Sequence, residues 1–153
     1  MKLVERNRVR ILALEEFFIG AGQTVLSPME LMVEIQVPGL PERTGSSFLK
    51  IGRVSADIAK VNVAVAIVRQ GDICQDCRIA LGAVAERPIR LLKVEELMIG
   101  ERLTQSLVEE VSRKSSEETR PITDVRSTGW YRREVCKVLV RNAISVAWRR
   151  AGA

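Results

Sequence analysis

The stretch Val61-Asn-Val-Ala-Val-Ala-Ile-Val68 limits the fold more than any other part of the chain. Val61, Val63, Val65 and Ile67 fall on one face of an extended strand, and Asn62, Ala64, Ala66 and Val68 fall on the other. The branched face must be buried. The small face lets a helix or a neighbouring domain lie close. Gln70-Gly71-Asp72 follows directly and predicts a tight turn into a second strand over 73–84. The two strands form an antiparallel pair, and Ala80 and Gly82 extend the shallow surface.

Around this hairpin, patterning predicts further elements. Residues 8–14 suit a short strand, 15–18 a single helical turn ended by Gly20-Ala21-Gly22, and 31–37 a strand stopped by Pro38. Residues 39–47 have loop composition, and 48–53 read as another strand. After Pro88 the periodicity turns helical over 91–99 and over 103–114, where Thr104 supplies an N-cap. A polar break over 115–121 precedes the longest helix, 127–150. Its apolar side is expected to carry Tyr131, Val135, Val138, Leu139, Ala143 and Val146. Strands first and helices later predict an α+β fold, with about three to five antiparallel strands and about three helices packed on one face. No composition shift marks a boundary, so residues 1–153 read as a single domain with 1–26 as a lead-in segment.

Composition removes whole classes of chemistry. There is no histidine, which takes away the usual general base and the usual zinc ligand. Three cysteines do not make a secreted disulfide framework. The formal charge of +5 is mild, and its basic residues are scattered apart from a C-terminal set from Arg132 to Arg150. That set reads as the solvated face of a helix rather than as phosphate contacts, so no nucleic-acid partner is expected. The longest apolar run is far too short for a membrane helix, and no signal-peptide core opens the chain. The expectation is a cytoplasmic protein without membrane insertion.

The remaining motifs are weak. Cys74-Gln-Asp-Cys77 lies inside a predicted strand, where alternation sends the two thiols to opposite faces, and no second pair completes a metal site. Gly20-Ala-Gly22 lacks the third glycine and the strand–helix context of a dinucleotide loop. No carboxylate pair or activated nucleophile stands out. No catalytic or metal-binding residue is expected.

Three segments in order carry a family signature: Phe17-Phe-Ile-Gly-Ala-Gly-Gln-Thr-Val-Leu26; Lys50-Ile-Gly-Arg53 with Asp57-Ile58-Ala59; and Pro121-Ile-Thr-Asp-Val-Arg126 with Tyr131-Arg-Arg133. With Arg78-Ile-Ala-Leu-Gly82 and Pro88, they resemble the C-terminal domain of the FAD-binding medium subunit of molybdenum hydroxylases, the family of aerobic carbon monoxide dehydrogenase and xanthine dehydrogenase. The resemblance runs from about Arg8 to Ala147.

The resemblance implies an antiparallel sheet with three helices that closes over one side of the flavin. It places Lys50 near the isoalloxazine ring, the Gly52–Ala59 loop with Asp57 and Ile58 beside it, and Met32 in apolar contact with it. Asp57 has a second reading, as a cap on a turn into the next strand. Asp124 and Arg126 read as structural, fixing the entry to the last helix. The implied partners are an FAD-binding domain or subunit and the iron–sulfur and molybdopterin subunits that pass electrons to the flavin. The N-terminal FAD-binding domain is absent here, so FAD is expected only with that missing domain, and the chain is not expected to be catalytic alone. The alternative is a stand-alone interaction module that has lost the flavin and forms a homodimer through its exposed sheet.

Overall fold

The computed structural model describes residues 1–152, and the chain separates into two units, Met1–Leu40 and Pro41–Ala153. In the first unit, β1 (Lys2–Glu5) pairs antiparallel with β2 (Arg8–Ile11) on one side and β5 (Leu31–Glu34) on the other. Between β2 and β5 come α1 (Leu14–Phe17) and a small ladder of β3 (Phe18–Gly20) with β4 (Gln23–Thr24). Gly22, at φ +68°, makes the turn between these two strands, so the Gly-Ala-Gly segment is hairpin chemistry. Met1, Leu3 and Phe17 form the buried core of this unit. The strand β1 escapes sequence patterning because four residues flanked by charge give too little alternation.

The second unit holds the predicted hairpin as the centre of a four-stranded antiparallel sheet, ordered β6–β7–β8–β9. Its strands are β6 (Thr44–Ile51), β7 (Val61–Gln70), β8 (Ile73–Gly82) and β9 (Ile89–Arg90). The turn falls at Gly71-Asp72, with Gly71 at φ +57°. Val61, Val63, Val65 and Ile67 are buried as their branched face requires. They pack with residues of α2 (Leu92–Glu95), α3 (Gln105–Glu117) and α4 (Gly129–Ala151). The fold is α+β, with the helices mostly in the C-terminal half.

The structure corrects several local expectations. β6 begins at Thr44 because Thr44 and Gly45 still find ladder partners in Val68 and Ile67. Gly45 is where α4 crosses: a Cβ there would lie 1.9 Å from the Ala147 carbonyl oxygen and 2.3 Å from the Ala151 nitrogen. α3 continues to Glu117, three residues into the expected break over 115–121, where Ser115 returns its hydroxyl to the Val111 carbonyl and is buried, as Ser112 does to Val108 one turn earlier. Thr104 does cap it, accepting from the Leu107 amide at 3.2 Å.

The buried side of α4 is built on Arg132, Cys136, Leu139, Val140, Ala143, Ile144 and Ala147, while Tyr131 and Val138 are exposed. The face is rotated from the expected one because a polar residue, Arg132, belongs to the inside. Cys74 and Cys77 also depart from expectation: both are fully buried. Val68 faces Asp76 but Arg69 faces Cys74, so Gln75 is an inserted bulge residue that resets the alternation. Cys74 and Cys77 are free thiols packed as small apolar groups, and Cys77 Sγ lies 3.7 Å from Met98 Sδ. Among the described residues no helix is long and apolar enough to cross a membrane, and no group of His, Cys, Asp and Glu gathers for a metal.

Candidate site at the loop between the first two strands of the large sheet

The residues 52–60 leave β6 and return as β7, and the bond from the Lys60 amide to the Ile51 carbonyl at 2.7 Å closes the base of the loop. Strand alternation puts Ser46, Phe48 and Lys50 on the outward face of β6, away from the helices. Lys50 then turns over the loop: its Nζ donates to the carbonyls of Ser55 and Asp57, each at 2.8 Å. A flexible four-carbon stem carrying three donors suits this task, because it satisfies two carbonyls of an irregular segment at once. The amine stays exposed. It is neither sealed inside nor free to wander.

Asp57 organises the same bend from the other side. Its Oδ2 accepts from Arg53 Nε at 3.0 Å, and its Oδ1 accepts from the Ile58 amide at 2.9 Å. The Arg53 hydrogen bond holds its carboxyl below the usual aspartate range, although burial pushes the other way. A Cβ at Gly52 would lie 3.0 Å from the Val54 carbonyl oxygen and 3.3 Å from the Asp57 Cβ, so the bend is tightly packed there. The capping reading of Asp57 therefore has direct geometric support. Ile58 and Val54 point into solvent at 66% and 67% exposure. The loop presents an apolar edge around one positioned ammonium.

Behind the loop stands a group that patterning assigns to solvent. Arg132 is 3% exposed and donates to the carbonyls of Lys60 and Ala83, both at 2.9 Å, and to Asp124 Oδ1 at 2.8 Å. Arg126 and the Ser127 amide also bond to Asp124. Burial raises the Asp124 carboxyl, but these bonds outweigh it and bring it down to about 2. Thr128 caps α4 by accepting from the Tyr131 amide at 3.1 Å. Asp124 and Arg126 thus fix the helix entry, as their spacing suggests. Arg132 ties that entry to both ends of the central hairpin, a role no local pattern announces.

The structure brings Lys50, near the end of β6, against the loop that carries Asp57 and Ile58. Met32 belongs to the first unit, where it lies half-exposed on β5 opposite Leu3. On the outward face beyond Lys50, Ser46, Phe48, Ala64, Ala66, Arg78 and Ala80 line an open cavity of about 520 Å³. Small side chains make its floor, as the alternation of β7 predicts.

A family model for the carbon monoxide dehydrogenase flavoprotein C-terminal domain matches residues 46–147. The glyceraldehyde dehydrogenase medium chain of Sulfolobus acidocaldarius is 37% identical over 128 residues, covering 84% of this chain and 45% of that protein. The carbon monoxide dehydrogenase medium chain of Hydrogenophaga pseudoflava is 29% identical, covering 94% of this chain and 50% of its own length. A solved structure of carbon monoxide dehydrogenase from the same organism superposes with a TM-score of 0.94 at 30% identity, covering 97% of this chain and 52% of the other. The chain spans about half the length of the relatives it matches.

Proposed function

The chain belongs to the carbon monoxide dehydrogenase flavoprotein C-terminal domain family, and from that premise we propose that it forms the wall over one side of an FAD isoalloxazine ring in a molybdenum hydroxylase. The observation that carries this reading is the positioned Lys50 ammonium at an exposed apolar loop. A planar ring with an electron-rich edge needs a flat apolar neighbour and a fixed positive group, and these residues fit that need. The flavin supplies the electron-transfer chemistry when bound.

The chain's own residues orient and shield. Lys50 holds its charge at the rim while bracing the bend, and Asp57 with Arg53 keeps the bend in one shape. Ile58 excludes water from the ring's side. Its partners are the FAD-binding domain or subunit, which holds the rest of the cofactor, and the iron–sulfur and molybdopterin subunits of a cytoplasmic complex. The chain is a component of an oxidoreductase rather than a catalyst by itself.

Co-expression with an FAD-binding polypeptide from a medium chain tests this through the flavin absorbance of the purified complex. We expect a yellow complex whose flavin potential falls when Lys50 becomes methionine. A colourless complex, or a potential indifferent to Lys50, would overturn the reading.

A further inference from the structure

The helical layer carries a cavity that the flavin reading does not use. Between α3 and α4 an open space of about 490 Å³ is lined by Arg113 and Glu117 on one helix and by Trp130, Arg133, Glu134 and Lys137 on the other. That volume falls within the range of small-molecule sites, about 300–1,000 Å³. The four residues of α4 recur three or four positions apart, so they share one helix face. Trp130 is 70% exposed, a broad aromatic surface that the fold itself leaves in water.

The charges around this indole are loosely held. Arg113 pairs with Glu117, and Lys137 pairs with Glu134 at 2.7 Å, each within its own helix and open to solvent. Exposed pairs of this kind contribute little, so their cations can turn to a better partner at small cost. Arg133 is exposed and its guanidinium has no hydrogen bond or ion pair among the described residues. Three cations against two carboxylates leave the cavity positive, with one fork of donors unengaged.

We propose that this cavity binds a nucleoside phosphate, with the base against the Trp130 indole and the phosphate oxygens on Arg133 and on Arg113 or Lys137. A stacking face beside a guanidinium fork is what a base and its phosphate require. Glu117 and Glu134, released from their cations, then accept from ribose hydroxyls. A simple aromatic acid is the poorer occupant, since it engages the indole and one cation and leaves the other charges idle. An acidic peptide has no use for the two carboxylates. A single nucleotide needs one such site, not the continuous basic face that a nucleic acid needs. None of these residues belongs to the Lys50 loop, so the proposal does not rest on the flavin reading.

The chain has two tryptophans, and Trp148 lies beneath the Arg69 guanidinium at 4.5 Å, so Trp148→Phe leaves Trp130 as the one indole reporter. Titrating that variant with ADP should quench its fluorescence to saturation, and calorimetry on the unaltered full chain should give one site of the same affinity. Adenosine and pyrophosphate should each bind at least about tenfold more weakly than ADP. Arg133→Ala and Trp130→Leu should each weaken ADP at least about tenfold by calorimetry while the thermal midpoint stays in place. Arg141→Ala, which removes an exposed cation elsewhere on α4, should leave ADP binding unchanged. Four outcomes overturn the proposal: no saturable response to ADP, pyrophosphate binding as tightly as ADP, benzoate or hexaglutamate binding more tightly, or ADP binding indifferent to Arg133 and Trp130. No flavin or partner chain enters the titration, so its failure leaves the flavin reading where it stood.

Discussion

The two units differ in how far each satisfies itself. Pro41–Ala153 buries one face of a four-stranded sheet under helices and gathers twenty buried apolar residues in one cluster. Met1–Leu40 buries three, and it holds Val9, Ile11 and most of β5 out in solvent. The first pattern is what a domain core looks like; the second leaves apolar surface that its own unit does not cover. Even its strongest polar contact, Arg10 to Glu30 at 2.6 Å, staples chain segments together more than it supports a core.

Substitutions that attack the packed unit should show the largest effects. Gly45→Ala forces a methyl into the backbone of α4, and neither backbone can yield without moving the helix off the sheet. Urea denaturation should give a loss of more than about 4 kcal/mol. By contrast, Gly82 faces the movable Asn62 amide, and its alanine variant should cost clearly less. Equal costs at the two positions would mean that α4 is not seated as described.

Arg132→Met should follow at about 3 kcal/mol, since the carbonyls of Lys60 and Ala83 lose a buried charged donor. It should also speed amide exchange across residues 52–60. A variant that loosens the fold evenly would break the link drawn between Arg132 and the loop. In the unaltered chain, β1 and β5 amides should exchange at least about a hundredfold faster than those of β7 and β8. Comparable protection in the two sheets would remove the contrast between the units.

Acid should act on both units, and gently. Arg10 and the Ser27 amide bring the Glu30 carboxyl down to about 2, and Asp124 sits near the same value. A folded-state value below the unfolded one gives stability that is complete above the ordinary carboxylate range and lost as pH falls toward 2. Asp124→Asn should flatten that decline in a pH series of unfolding midpoints. The smallest effect belongs to Lys50→Met, within about 0.5 kcal/mol of stability because the amine is exposed. A large loss there would mean that bracing the bend, and not holding a charge at its rim, is the main work of Lys50.

Much of the large sheet was legible because its signals are local. Ten-residue strands with a bulky and a small face leave little choice, and Gly71-Asp72 marks the turn. Thr104 is readable as a cap because its partner is three residues away. The bulge at Gln75 was not legible, since one inserted residue shifts the phase without altering the composition. Arg132 was misread for a related reason: its partners lie 49 and 72 residues away, and helix periodicity cannot distinguish a paired cation from a solvated one. At the loop, the crowding of Lys50, Gly52, Arg53 and Asp57 announced a built segment. That the lysine grips carbonyls of its own bend follows from backbone shape, which no spacing encodes.

Because the bulge turns Cys74 inward beside Cys77, and Cys136 is likewise enclosed, all three sulfurs are locked within the larger unit. Enclosure pushes the Cys136 thiol up to about 12, so it is protonated as well as hidden. An alkylating reagent must therefore wait for that unit to open, and its rate of uptake becomes a clock for unfolding that needs no label, no dye and no engineered residue.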